Sequence, residues 1–352
     1  MFTIPKADKK EPRFLIDCIP RNKVTIKDLT LLPNIKGIIN WVAARKFRSK
    51  IDLTDGYHNI RVHPNSVKYN MILIHIGKFD LLVMLQVDCH APATMMTAMN
   101  GLLRHQLDKT CKIYIDDILI ATHTYKEHVK AITEIMNILG KAKIWFNKKK
   151  CQILPSRLEI LGYILTEKGL EADPTKIRQI QDYSAPTIRK QLQRFMSIVN
   201  YLRRYYLNLA SISTGLAELQ GKTKKFRWNH MHPKAFDKYK ELIMCNQILQ
   251  PINHESGKPI YLITDASQTG IAGWLGQEDD NGKIRPAEFH SRKLKNSQIN
   301  YGTYQKELFA IYDSLQHFQN TLAGYIFTIL TDHRPLKNFI SQTQKNAVKN
   351  KW

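Results

Sequence analysis

Residues 46–120 alternate short apolar runs with turn-forming residues: Phe47–Leu53, Ile60–Val62, Asn70–Ile76 and Phe79–Leu85. This spacing predicts a series of short strands, with Gly77-Lys78 as the turn of a hairpin. Pro92 then opens a run with Met95, Met96, Met99, Leu102 and Leu103 at near-helical spacing, which predicts a helix over 93–107 and a methionine stripe buried as core. A second amphipathic helix is predicted over 126–142, with Val129, Ile132, Ile135, Met136 and Leu139 on one side. Between these helices KIYIDDILIA, residues 112–121, reads as a buried strand that nevertheless holds two adjacent aspartates, Asp116 and Asp117. Strands with helices covering one face predict an α+β class. A basic, more helical stretch follows over 174–250. After Pro251 the pattern restarts with a strand at Lys258–Ile263, a turn and second strand in TDASQTGIAGWLGQ, a helix over 304–322 and a strand at Ile326–Leu330. That restart predicts a separate domain.

Length and charge narrow the class. At 352 residues the chain can hold two or three cores. Lys and Arg number 53 against 30 Asp and Glu, a net charge of +23. The excess is spread through runs such as Arg45-Lys46-Phe47-Arg48, Lys148-Lys149-Lys150 and Lys222-Thr223-Lys224-Lys225. It favours a polyanionic partner bound through phosphate neutralisation, over the alternative of a merely solvated basic surface. Five scattered cysteines without a C-x-x-C pair argue for a reducing compartment and against a zinc module. His230 and His232 lack further ligands at metal spacing and read as surface histidines. No apolar run approaches a membrane span, and Met1-Phe2-Thr3-Ile4 leads straight into charge. The expectation is an intracellular chain, cytoplasmic by default, with no signal peptide and no membrane partner. No pattern specifies an oligomeric state.

A buried carboxylate costs several kcal/mol unless it is paired, protonated or bound to a metal. A third aspartate, Asp52, ends a strand in SKIDLTDGYH. Three carboxylates at strand ends or a hairpin tip can converge on two divalent cations about 4 Å apart, an arrangement that serves in-line phosphoryl transfer. Magnesium suits such hard oxygen ligands. The alternative is a hairpin tip whose aspartates face solvent.

Taken in order, SKIDLTDGYHNIRVHP, APATMMTAMNGLL, YIDDILI, FNKKKCQI and LEILGYILTEKGLEADPTKI resemble the reverse transcriptase of gypsy-type LTR retrotransposons. Downstream, ITDASQTGIAGWLGQ, RKLKNSQINYGTYQKELFAI and FTILTDHRPL resemble the RNase H domain that follows it. The resemblance runs over essentially the whole chain. It implies a right-hand polymerase, with fingers and palm over 1–166 and a thumb or connection over 167–250, then an RNase H-like α/β domain over 251–352. The implied partners are an RNA template, a DNA primer, dNTPs and RNA–DNA hybrid, with other retroelement proteins needed for mobility. The implied cofactor is Mg²⁺, two ions per active site, with Mn²⁺ as a substitute.

Roles carry over residue by residue. Asp52, Asp116 and Asp117 match the polymerase metal triad, with Asp52 and Asp116 the direct bridges because neighbouring strand residues point apart. Tyr57, in DGY, matches the bulky residue that excludes a ribose 2′-hydroxyl; its alternative is an ordinary core tyrosine. Lys6 and Arg13, in PKADKKEPRF, match cationic residues that grip the incoming triphosphate, Arg13 through a bidentate fork. Gln86 falls among the substrate-binding positions ahead of APAT. Gly162, in the LGY of Leu161–Tyr163, matches the hairpin that holds the primer end. Asp265, Glu307 and Asp332 match three RNase H carboxylates, which would act through metal ions on the RNA of a hybrid.

The chain also departs from the pattern. The family stretch MPFGLTN is replaced by Met84-Leu85-Gln86-Val87-Asp88-Cys89-His90. Val87 adds bulk where glycine is usual, and Asp88 is expected to add negative charge where a phosphate-bearing substrate approaches. The chain begins inside the fingers and stops at Trp352, ahead of a fourth RNase H carboxylate. The RNase H half is therefore expected to be incomplete and not to cut RNA as it stands. Two readings follow: a catalytic reverse transcriptase, or a non-catalytic, decayed retroelement fragment that at most binds nucleic acid through its basic surface. A standalone nuclease is disfavoured because polymerase-like sequence fills the first half.

Overall fold

The aspartate pair sits on a sheet assembled from segments far apart in the chain. The structure, a computed structural model, describes residues 2–4, 13–26, 28, 30, 32–207, 209–212, 216, 219–221, 226–229, 231–245 and 247–338. The chain divides into two compact units, 1–38 with 45–158 and 39–44 with 159–352. Each is taken by itself below.

In the first unit, β1 (Phe2–Ile4) and β2 (Arg13–Leu15) pair antiparallel, followed by α1 (Ile19–Val24). Helix α2 (Ile35–Ala43) runs across the division between the units. Then come β3 (Phe47–Asp52), the ribbon β4 (Met71–Ile74) and β5 (Gly77–Asp80), α3 (Ala91–Leu102), the hairpin β6 (Cys111–Tyr114) and β7 (Asp117–Thr122), α4 (Tyr125–Lys141) and β8 (Gln152–Ile153). Strands β6, β7, β3 and β8 form an antiparallel sheet in that order. From Ile118 to Thr122 every residue of β7 is buried, so the central strand is apolar on both faces rather than alternating. Ile51, Met95, Met96, Met99, Ile113, Ile118, Ile120, Ile135 and Leu139 fill one core. Each such fully buried side chain contributes about 1.5–3 kcal/mol of transfer free energy. The methionine stripe is core, as its spacing predicts.

Four local expectations need correction. KIYIDDILIA is a hairpin and not one strand, with Ile115-Asp116 as its turn and Tyr114 closing on Asp117. The ribbon of β4 and β5 turns at His75-Ile76, and Gly77 is already paired with Ile74. Residues 60–62 form no strand; Arg61 alone bridges to Val83. Helix α4 buries His128, Ala131, Ile135 and Leu139, leaving Val129 44% exposed. His128 goes inward because Ser49 Oγ (2.8 Å) and Thr122 Oγ1 (3.1 Å) satisfy its two ring nitrogens, so a polar residue occupies a core position. The helix begins at a capping box in which Thr124 and Glu127 exchange side-chain to backbone hydrogen bonds.

In the second unit, β9 (Arg157–Ile160), β10 (Tyr163–Thr166) and β11 (Gly169–Glu171) form a sheet in the order β11-β10-β9. Helices α5 (Pro174–Gln181), α6 (Arg189–Tyr201), α7 (Leu209–Ile212) and α8 (Met231–Met244) follow. Phe195 packs on Phe236 at 4.6 Å between ring centroids and on Tyr239 at 6.2 Å. His232 is buried, contrary to its reading as a surface histidine: its ring stacks on Trp228 at 5.4 Å and its Nδ1 accepts the Asn229 N–H at 2.9 Å. His230 lies outside the described residues. The remaining elements are β12 (Ile260–Ala266), β13 (Gly270–Glu278), β14 (Ile284–Lys293), α9 (Asn296–Ile299), α10 (Thr303–Leu322) and β15 (Thr328–Leu330). The sheet order is β14-β13-β12-β15, with β12 and β15 parallel and the rest antiparallel. Among the described residues, no helix is long and apolar enough to cross a membrane.

Two carboxylate clusters as candidate active sites

The first cluster lies at one end of the β3–β7 ladder. Asp52 ends β3 directly opposite Asp117, which begins β7, while Asp116 occupies the hairpin turn. That turn depends on Ile115 at φ 55°, a left-handed conformation costly for a β-branched residue. The Asp116 carbonyl accepts the Leu53 N–H at 3.1 Å, and the Ile115 N–H reaches Met96 Sδ at 3.1 Å. The strained turn is thus fixed to β3 on one side and to α3 on the other.

The three carboxylates are compensated unequally. Asp117 Oδ2 pairs with Lys50 Nζ at 2.9 Å, and Asp52 Oδ1 with Lys150 Nζ at 3.7 Å. Asp116 Oδ1 is buried without a hydrogen-bond partner. Burial, then Asp117 and Asp52, push the Asp116 carboxyl above the usual range. Burial also raises Asp117, with Lys50 opposing it. Gly56 makes the close approach possible: a Cβ there would lie 2.2 Å from Asp116 Oδ1 and 3.2 Å from Met95 Cε. Tyr57 packs against the palm core, and burial together with Asp116 raises its hydroxyl. Lys50 carries no distinctive signal in the sequence, whereas Lys150 ends a basic run and Gly56 is the central residue of DGY.

Other predicted positions fare differently. Gln86 is exposed. Asp88 does not present a free charge to an approaching substrate, because the Arg21 guanidinium pairs with it. Arg13 lies on β2 opposite Ile4, and Lys6 lies outside the described residues. In the second unit, Leu161 (φ 49°) and Gly162 (φ 86°) form a left-handed corner. The Tyr201 hydroxyl donates to the Gly162 carbonyl, and a Cβ at Gly162 would lie 2.3 Å from that hydroxyl oxygen. Tyr163 stacks on Tyr201 at 5.8 Å, and the Arg204 guanidinium lies over the Tyr163 ring at 4.9 Å. Tyr201 is a partner that sequence reasoning missed.

The second cluster joins Asp265 on β12, Glu307 on α10 and Asp332 after β15. One ligand atom from each lies within 4.8 Å of the others, the one such group of His, Cys, Asp or Glu among the described residues. Asp52, Asp116 and Asp117 are not drawn together that tightly. Burial, then Asp332 and Asp265, push the Glu307 carboxyl up to about 7, and its Oε2 is buried without a partner. The parallel β12–β15 pairing brings the first and last carboxylates together, and α10 packs across β12 and β13 to present the middle one.

The chain carries a reverse transcriptase domain followed by an RNase H-like domain. Residues 4–165 match the family of reverse transcriptases (RNA-dependent DNA polymerases), and residues 255–352 match the RNase H-like domain found in reverse transcriptase. The chain belongs to that family, and its relatives are Pol polyproteins of LTR retrotransposons. It is 30% identical over 369 residues to the retrovirus-related Pol polyprotein from transposon opus of Drosophila melanogaster, covering 100% of this chain and 36% of that protein. It is 32% identical over 341 residues to the polyprotein from transposon 297 of the same species, covering 97% and 32%. The transposon Tf2-3 polyprotein of Schizosaccharomyces pombe is 30% identical over 326 residues, covering 92% and 24%. The chain thus spans 24–36% of the length of these curated relatives. Among solved structures, the foamy viral protease-reverse transcriptase in complex with dsDNA is similar with a TM-score of 0.88 at 19% identity, covering 99% of this chain and 73% of that one. The same viral protein in complex with RNA/DNA hybrid gives 0.82 at 19% identity, covering 99% and 47%. At that identity the likeness is one of fold.

Proposed function

We propose that the chain is a catalytic RNA-directed DNA polymerase of a retrotransposon, with nucleotidyl transfer centred on Asp52 and Asp116. The observation that carries this reading is Asp116 Oδ1, buried and unpartnered, beside two further carboxylates whose lysines leave it uncompensated. An oxygen-only donor set of this kind fits a hard divalent cation, magnesium first and manganese as its substitute. Bound there, a pair of such ions supplies electrostatic stabilisation of the attacking and leaving oxygens of phosphoryl transfer. Lys50 holds Asp117 toward itself, which supports Asp52 and Asp116 as the direct ligands. Lys150, 3.7 Å from Asp52, adds positive charge on the side of that carboxylate. Tyr57 serves as the wall that rejects a ribose 2′-hydroxyl, Gln86, Lys6 and Arg13 as nucleotide contacts, and Gly162 as the corner against which the primer end rests.

On this reading residues 1–166 are fingers and palm, 167–250 thumb or connection, and 251–352 the RNase H-like domain. Asp265, Glu307 and Asp332 offer the second oxygen-only set, and Glu307 Oε2, buried without a partner, fits the same class of cation. Its substrate is the RNA of an RNA–DNA hybrid. The basic charge serves the template and primer backbones, the free cysteines fit a reducing, cytoplasmic setting, and other retroelement proteins complete mobility. The test is extension of a DNA primer on an RNA template by the purified chain in Mg²⁺ and in EDTA. Extension in Mg²⁺ alone supports the reading. No extension, with salt-sensitive binding of the primer–template intact, replaces it with a remnant that binds nucleic acid without chemistry.

A further inference from the structure

Segment 85–90, where this chain departs most from the family pattern, is fastened from outside by side chains of α1. Asp88 pairs with the Arg21 guanidinium, while its Oδ2 accepts the Leu85 N–H at 3.3 Å. Arg21 Nη1 also donates to Asn70 Oδ1 at 2.5 Å, and the Asn70 amide donates to the carbonyls of Leu81 (2.9 Å) and Val83 (3.1 Å). Asn70 is 4% exposed, so these bonds are sheltered from water. Next along α1, Asn22 Nδ2 donates to the Val87 carbonyl at 2.8 Å and its Oδ1 accepts the Cys89 N–H at 3.1 Å. Of two consecutive residues of one short helix, Asn22 therefore holds both ends of the 87–89 turn and Arg21 holds its middle.

The fastened segment leads directly to the carboxylates. The Asp88 carbonyl accepts the Ala91 N–H at 3.0 Å, which starts α3. Met95 of α3 lies under Gly56, and Met96 Sδ receives the Ile115 N–H of the aspartate turn. Gln86 stands exposed on the outer side of the same loop. We infer that Arg21, Asn22 and Asp88 are positioning residues that hold Leu85–His90 in register with the aspartate hairpin and so set nucleotide affinity rather than the rate of chemistry. This rests on the polymerase reading and deepens it. Asp88, which in the sequence looks like an unwelcome charge, is a tie between α1 and this loop. A loosened loop costs ordering entropy when nucleotide binds, whereas the carboxylates stay held by β3, β7 and the core.

The experiment compares the parent chain with Asp88→Ala, Arg21→Met and the conservative Asp88→Asn in single-nucleotide extension on an RNA template. The expected result is a KM for dNTP raised about tenfold in Asp88→Ala and in Arg21→Met, with kcat within about twofold, and a smaller rise in Asp88→Asn, which keeps an oxygen to accept from Arg21 and Leu85. An unchanged KM in folded Asp88→Ala overturns the inference, as does an equal fall in kcat. Hydrogen exchange at the Cys89 amide separates this from failure of the polymerase reading. Its acceptor, Asn22, is intact in Asp88→Ala, so faster exchange there reports a loosened loop even if no chain extends a primer. Exchange unchanged from the parent in that variant sinks the brace by itself.

Discussion

The two carboxylate clusters solve one electrostatic problem in different ways. In the palm, Asp52 and Asp117 each have a lysine, and only Asp116 is left buried without a partner. In the RNase H-like domain three carboxylates crowd within 4.8 Å with no ion pair to a lysine among the described residues, and the buried one rises to about 7. The palm keeps its carboxylates apart and partly neutralised by its own cations. In the RNase H-like trio, burial first and then repulsion from Asp332 and Asp265 raise one protonatable group. The difference teaches that gathered carboxylates alone do not mark the more specialised centre: the palm spends a strained turn and a glycine on placing a single oxygen.

The largest effect that can break this comparison comes from Gly56→Ala. Its new Cβ meets Asp116 Oδ1 and Met95, so the carboxylate must shift, and misplacement on the scale of 1 Å costs about 100-fold in rate. Primer extension is expected to fall by about that factor with thermal stability changed far less. Extension equal to the parent's would show that Asp116 needs no such close cradle.

An intermediate effect belongs to the second cluster. Glu307→Gln removes one of three ligands and the charge that repels the other two, and Mn²⁺ alone is expected to bind that domain at least about tenfold more weakly by calorimetry. Affinity unchanged would mean that Asp265 and Asp332 act without it.

The smallest effect is a pH dependence in the palm. Burial holds the His128 imidazole below its usual range, so it is neutral in the folded unit between Ser49 and Thr122. Below about pH 6.5 the unfolded chain takes up a proton that the folded one refuses, so this contribution is present above that pH and lost as pH falls. His128→Gln is expected to lower stability by about 1–2 kcal/mol at pH 8 and to flatten the acid side of the melting profile. An acid limb as steep as the parent's would assign the dependence to other groups.

Much of this was legible in order and spacing. The spacing places helices over 93–107 and 304–322, and the structure has them over 91–102 and 303–322; the methionine core and the gathering of Asp265, Glu307 and Asp332 also follow from the chain. What escaped did so for physical reasons. The YIDD hairpin reads as one strand because its turn is an isoleucine at φ 55°, a conformation that turn chemistry assigns to glycine or asparagine. Strand β14 was passed over because IRPAEFHSRK holds a proline and several charges, and its ladder with β13 is broken by a register shift at Leu275-Gly276. His232 reads as a surface histidine and the sequence marks His128 in no way, yet both are inside: Ser49 and Thr122 meet the two ring nitrogens of His128, and the Asn229 N–H meets Nδ1 of His232. Lys50 lay unmarked among 53 Lys and Arg and Lys150 stood out only as the end of a basic run, and only the fold shows which cations face the aspartates.

The most direct test of the account is RNA-templated extension of a DNA primer in Mg²⁺ by the parent chain, Asp116→Asn and Glu307→Gln, with primer–template binding measured alongside. The account predicts extension by the parent and by Glu307→Gln, extension abolished in Asp116→Asn, and binding nearly equal in all three. Extension that survives in Asp116→Asn would contradict it, because the chemistry would then not depend on the one carboxylate of the three that is buried without a partner.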